Sequence, residues 1–176
     1  KAYCNAETLL KTLDAGLKAA TVDYVDVWRL VASTPGKHSE ADEQEFMKAF
    51  DTAKQQGKVR FTGVSSHGRP WLKRLADTYP EHFQVLLFPY TAKTKMAGAK
   101  IESVEEGDAA RVTRIEGGGW ENSLWHAMQE LDVAWFGIKP FTSGSLFKGD
   151  STPGNEHEEE DNKIARLTIR AILTNP

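Results

Sequence analysis

Apolar positions along the chain alternate between helical spacing and short continuous runs. Residues 6–20 carry Leu9, Leu10, Leu13 and Leu17 three to four apart, with Gly16 the one weak position. TVDYVDVWRLVA (21–32) follows, a β-branched and aromatic run suited to a buried strand. Ser39 and Asp42 have capping-box spacing and open a second helix, whose stripe is Phe46, Ala49, Phe50 and Ala53. Gly57 stands where a left-handed glycine ends such a helix. VRFTGV (59–64) is the next strand. Pro70 falls in the first turn of a helix running to about Tyr79, and QVLLF (84–88) is a third apolar strand, closed by Pro89.

Residues 92–121 break this rhythm. AKIESVE and ARVTRIE alternate on either side of Glu-Gly-Asp, the pattern of a hairpin over 99–116. The glycines at 117–119 read as a flexible joint, so that 96–120 forms an insertion. The alternation then resumes. Leu124, Ala127, Met128 and Leu131 mark a helix, VAWFGIK (133–139) a strand, and Ile164, Leu167, Thr168, Ala171 and Ile172 a last helix over about 158–173. Strands alternating with helices through short connections predict a parallel sheet covered by helices. Four strands are half of a closed eight-stranded barrel, and pattern alone leaves an open doubly wound sheet as the alternative.

Composition narrows the classes. A chain of 176 residues suits one domain with a sizeable core. A net charge of −3 offers no field for nucleic acid or an anionic membrane surface. No apolar run approaches the ~20 residues of a membrane span. The single cysteine, Cys4, has no intramolecular disulfide partner, in keeping with a reducing compartment. KAYCNAETLL lacks the order of a signal peptide and has no initiator Met, so the native N-terminus is expected upstream and the location cytoplasmic.

Five segments, in order, carry a family resemblance. DAGLKAATVDYVDVWRL resembles the aldo-keto reductase segment in which a helix leads into an Asp-Tyr-(Ile/Val)-Asp-Leu strand. KAFDTAKQQGKVRFTGVSSH resembles the family's Gly-Lys-x-Arg-x-x-Gly-Val-Ser block, and VLLFPYTAKTK its strand ending in a Tyr-Asn turn. VAWFGIKPFTSGSLFKGD resembles the strand and loop over the cofactor's pyrophosphate, and ARLTIRAILTNP the helix before the last strand. The matches cover most of 1–95 and 121–176. The resemblance implies a (β/α)₈ TIM barrel that uses NADPH, with NADH not excluded, to reduce a small-molecule carbonyl substrate: an aldehyde, ketone or sugar-like compound. It also implies that Lys1 ends the third strand and residue 176 precedes the eighth. Residues 1–176 would then be one partial barrel domain whose exposed strand edges invite self-association or a partner.

The same resemblance assigns site residues. The family's proton-donating Tyr and its Asp would precede Lys1, and Lys1 stands either where the Lys that lowers the Tyr pKa would fall or simply as a terminal residue. The substrate-orienting His falls on Val31, which neither donates nor titrates. Ser65 and Ser66 stand where Ser-Asn hold the nicotinamide carboxamide, although the same hydroxyls suit a strand-ending turn. His67 follows at the barrel mouth, toward substrate or toward solvent as a cap. The nicotinamide-contacting Gln aligns with Leu87 and the stacking aromatic with Ile138. Lys139, Ser143, Gly144, Ser145 and Lys148 match the pyrophosphate loop, a composition shared by plain Gly/Ser loops.

Other features invite simpler readings. His38 is expected solvated in a polar loop rather than as a relocated catalytic histidine. HEEED (157–161) has the look of a metal cluster, but acidic residues at a helix start complement the helix dipole. No Cys/His spacing suggests zinc, and no metal is expected. Trp28, Trp71, Trp125 and Trp135 lie on apolar faces and are expected in the core, with Trp120 beside the glycines. The changes at 31, 87 and 138 give the competing function: a non-catalytic barrel kept as a binding or structural subunit, with the 99–116 hairpin as its contact surface. A third is a barrel that keeps the cofactor for lyase or isomerase chemistry on sugars.

Overall fold

Helix α1 (Ala6–Ala20) begins where the Asn5 side chain accepts the Thr8 N–H at 2.8 Å. It ends where Thr21 turns left-handed at φ 57° and its N–H bonds back to Leu17 and Lys18. That C-terminal turn uses up residues 21–24, so strand β1 (Val25–Val31) is shorter than the apolar run that predicted it. Helix α2 (Glu40–Gln55) opens with the capping box expected of Ser39 and Asp42, both bonds present. Gly57 adopts φ +67° after it. Strand β2 (Val59–Ser65) and helix α3 (Arg69–Thr78) follow, and strand β3 (Val85–Pro89) carries Pro89 as its last residue rather than ending before it. Strand β4 (Ala134–Ile138), a 3₁₀ turn (Thr142–Gly144) and helix α4 (Glu158–Leu173) complete the order. The computed structural model describes residues 5–32, 38–91, 133–149 and 152–174. Lys1, Cys4, the 96–120 insertion, the helix over 124–131, Trp120 and Trp125 lie outside the described residues.

The four strands form one sheet in the order β1-β2-β3-β4, every pair parallel. A doubly wound sheet reverses direction at a switch point, whereas an unbroken sequential order is an arc of a barrel. The chain therefore forms part of a (β/α)₈ barrel.

The two faces of the sheet differ. One packs Leu30, Val64, Leu86 and Phe88 against Phe46, Phe50, Leu72 and Leu75 from α2 and α3. Trp28 meets Phe50 edge to face at 5.5 Å, and Trp135 stacks on Phe88 at 5.4 Å. Each fully buried Leu or Phe here contributes about 1.5–3 kcal/mol. A second cluster (Leu13, Leu17, Ala53, Val59) seats α1 beside α2, and Glu45 reaches back to the Ala6 N–H at 2.7 Å. The opposite face, which a closed barrel turns inward, leaves Val27, Val31, Phe61 and Phe136 exposed. On α4, Thr168 is buried and Ile172 reaches the core, while Leu167, read as part of the buried stripe, is exposed.

Candidate active site

Strand register brings the C-terminal ends of the sheet into one line. Val31 pairs with Ser65, Ser65 with Leu87, and Leu87 with Phe136, so these side chains point to the inner face as one row. Pro89 pairs with Ile138 one step higher, and Arg29 with Gly63 one step lower. Around this row opens a cavity of about 450 Å³, lined by Arg29, Val31, Ser65, Ser66, His67, Leu87 and Ile138. It lies at the C-terminal strand ends, the catalytic face of such barrels.

The serines hold the mouth together as well as lining it. Both are buried. The Ser65 Oγ lies 3.5 Å from the Leu30 carbonyl oxygen, a long bond. The Ser66 N–H donates to the Leu87 carbonyl at 3.0 Å, and its Oγ accepts the Gly68 N–H at 3.1 Å. Ser66 thus forms the strand-ending turn that the sequence also allowed, and it faces the cavity from that turn.

Gly63 sets the wall below. A Cβ there would run into the Val85 carbonyl oxygen of the neighbouring strand. Gly63 is the register partner of Arg29, and its lack of a side chain lets the neighbouring backbone approach closely. The Arg29 guanidinium has no ion pair among the described residues, and the lining contains no carboxylate. Sequence reasoning passed over Arg29; the signal was a cation two residues before Val31, on the same face of the strand.

The loop after β4 lies apart from this cavity. None of Lys139, Ser143, Gly144, Ser145 and Lys148 belongs to the lining. Lys139, Thr142, Ser143 and Gly144 have φ of 58°, 52°, 58° and 89°. Left-handed backbone costs a non-glycine residue roughly 1 kcal/mol or more, so three such residues mark a constrained loop. Its N–H groups are largely spent inside it. Thr142 donates to Lys139 at 3.0 Å, Gly144 to Phe141 at 2.9 Å and Ser145 to Thr142 at 3.3 Å.

Helix α4 takes the next donors. Asp161 accepts the backbone N–H of Lys148 at 2.9 Å and of Gly149 at 2.8 Å. The Lys148 ammonium pairs with Glu160 at 2.7 Å. The Lys148 N–H holds the Asp161 carboxyl below the usual carboxylate range, and Glu160 raises Lys148. The acidic run therefore occupies the first turn of α4 and ties down the loop before it. Among the described residues, no group of three or more His, Cys, Asp or Glu is placed to hold a metal.

His38 is a correction. Its ring stacks on Trp71 at 5.3 Å and lies 5.5 Å from Phe46, and both ring nitrogens are buried with no hydrogen-bond partner among the described residues. Burial lowers its pKa, against the opposing pull of Asp42 and Glu43. Masking of apolar ring surface has outweighed solvation of a residue that looked like a loop histidine. Beside it, buried Glu43 accepts the Trp71 indole N–H at 2.8 Å and pairs with Arg74. Glu43 also went unread, although its spacing to Phe46, Met47 and Phe50 puts it on the buried stripe.

No family model matches the chain. Solved structures do match. An aldo-keto reductase of Bacillus halodurans in its holo form superposes with a TM-score of 0.56 at 16% identity, covering 93% of this chain and 47% of that one. An aldo/keto reductase of Brucella melitensis gives 0.56 at 20% identity, covering 94% and 52%. This chain has the aldo-keto reductase fold. An aldo-keto reductase of Bombyx mori in complex with NADP gives 0.54 at 16% identity, over 94% and 48%. An uncharacterized oxidoreductase of Schizosaccharomyces pombe is 30% identical over 95 residues, 51% of this chain and 32% of the relative. The chain thus spans about half the length of the aldo-keto reductase structures and about a third of the curated relative. No helix among the described residues is long and apolar enough to cross a membrane.

Proposed function

We propose that the chain forms half of a nicotinamide-dependent aldo-keto reductase, with carbonyl reduction at the C-terminal mouth of the sheet. The observation that supports this reading is the convergence of Ser65, Ser66 and His67 on one cavity at that face, in a fold shared with a reductase described with NADP. When bound, the nicotinamide supplies the hydride. Its carboxamide end fits the cavity: Ser65 and Ser66 present hydroxyls there, and their backbone is fixed by strand bonds. Its diphosphate end fits the loop once Asp161 releases the Lys148 and Gly149 N–H groups, with Lys139 and Lys148 supplying charge beside Ser143, Gly144 and Ser145. His67 faces substrate from the rim. Lys1 is proposed as the partner of the proton-donating Tyr. NADPH is the proposed form.

The test is a titration of the chain with NADPH, followed by quenching of its five tryptophans. Saturation at micromolar cofactor is expected, weakened about 3–10-fold by Ser66→Ala, the worth of one hydrogen bond. Absence of binding by folded protein sinks the reading. A second reading, a non-catalytic barrel used for binding, draws on Val31, Leu87 and Ile138, three apolar residues among the seven of the cavity wall, and on the loop donors held by Asp161. It gains if NADPH fails to bind.

A further inference from the structure

We infer that the cavity takes a ligand bearing a carboxylate, with Arg29 as its anchor. The inference rests on the cavity being the substrate site proposed above, and it names the substrate class: a carbonyl compound that is also a carboxylic acid.

Two observations carry it. Arg29 stands on the inner face of β1, two residues below Val31, and lines the cavity. It is partly buried and has no ion pair among the described residues, while the other basic residue in the lining is His67. A cation placed in a largely apolar pocket without a counter-ion is costly unless a ligand supplies one.

The class of ligand follows from the shape of the donor. A guanidinium presents a planar fork that matches two carboxylate oxygens. One positive charge balances a carboxylate fully and a phosphate dianion only in part. The remaining wall of Val31, Leu87 and Ile138 receives the carbon skeleton, and Ser65 and Ser66 line the same cavity at the end of the neighbouring strand.

The experiment compares benzoate with benzamide, its neutral isostere, by ligand-observed NMR on the 176-residue chain. Benzoate is expected to bind at least tenfold more tightly. Arg29→Met is expected to abolish that preference and leave benzamide unchanged, Arg29→Lys to retain part of it, and Lys139→Met to leave it intact. Equal affinity for the two ligands, benzoate binding that survives Arg29→Met, a larger loss from Lys139→Met, or tighter binding of inorganic phosphate than of benzoate each overturns the proposal. If Arg29→Met fails to fold, the wild-type benzoate-to-benzamide ratio decides. Turnover is a separate arm. With NADPH, 4-carboxybenzaldehyde is expected to exceed methyl 4-formylbenzoate in kcat/KM by tenfold or more. Benzoate binding without turnover of any aldehyde removes the reductase reading and leaves the anion site standing.

Discussion

Asp161, in the first turn of α4, holds the backbone N–H of Gly149 at 2.8 Å across twelve residues of chain. The same carboxylate takes the Lys148 N–H, so a protein acid sits where the loop would offer donors to a cofactor diphosphate.

Replacing that acid is therefore informative. Asp161→Asn keeps the shape but removes the negative charge that competes with a diphosphate. NADPH affinity is expected to rise about 3–10-fold, the worth of one charge-assisted bond, with a small loss of thermal stability. The pH dependence has a definite sign. The folded carboxyl titrates below its ordinary range, so the tie is complete at neutral pH and persists through that range. It is lost only as pH falls further, through the lowered folded value. Backbone amide exchange at Gly149 across an acid series checks this.

Val31→His restores an imidazole at the inner-face position that the family resemblance gives to a histidine. Val31 is 72% exposed, so the larger side chain has room, and the melting temperature is expected to hold. Carbonyl turnover is expected to rise by up to about 100-fold, the scale of one positioned hydrogen-bonding or proton-transfer group. Steady-state kinetics with a panel of aldehydes is the measurement. Unchanged kcat would place the lost activity, if any, elsewhere than residue 31.

Gly63→Ala tests the packing under the cavity. The added methyl meets the Val85 backbone oxygen, which cannot yield without breaking the β2–β3 ladder. A loss of about 3 kcal/mol or more is expected, read as a lower urea midpoint. Gly16→Ala on α1, where a Cβ meets nothing within 4 Å, is the control and is expected to stabilise by about 0.5–1 kcal/mol.

His38 gives stability its own pH dependence. Burial lowers its folded pKa, so the unfolded chain binds the proton more readily. Its contribution is fully present above the ordinary histidine value and is lost as pH falls through that value toward the lowered one. Urea midpoints are expected to fall from pH 7.5 toward pH 5.5 (on the order of the ordinary histidine range), with the slope reduced in His38→Phe. An unchanged slope would assign the effect to other groups.

The local structure was legible because it is written in neighbouring residues. The Ser39–Asp42 box, Gly57 and the apolar periods specify caps and elements that form within a few residues of one another. The order of motifs also carried the barrel and placed Ser65, Ser66 and His67 at its mouth. Packing decided the rest. Val31, Leu87 and Ile138 share a wall only because register aligns three strands, and Arg29 faces that wall because of its parity on β1. Asp161 reads as a dipole partner until the fold brings residues 148 and 149 against it. His38 reads as a solvated loop residue until α2 and α3 close Phe46 and Trp71 around it. Sequence sets what each residue can do within its own turn or strand; which distant groups it meets is decided by burial of apolar surface across the whole sheet, a sum that no local pattern contains.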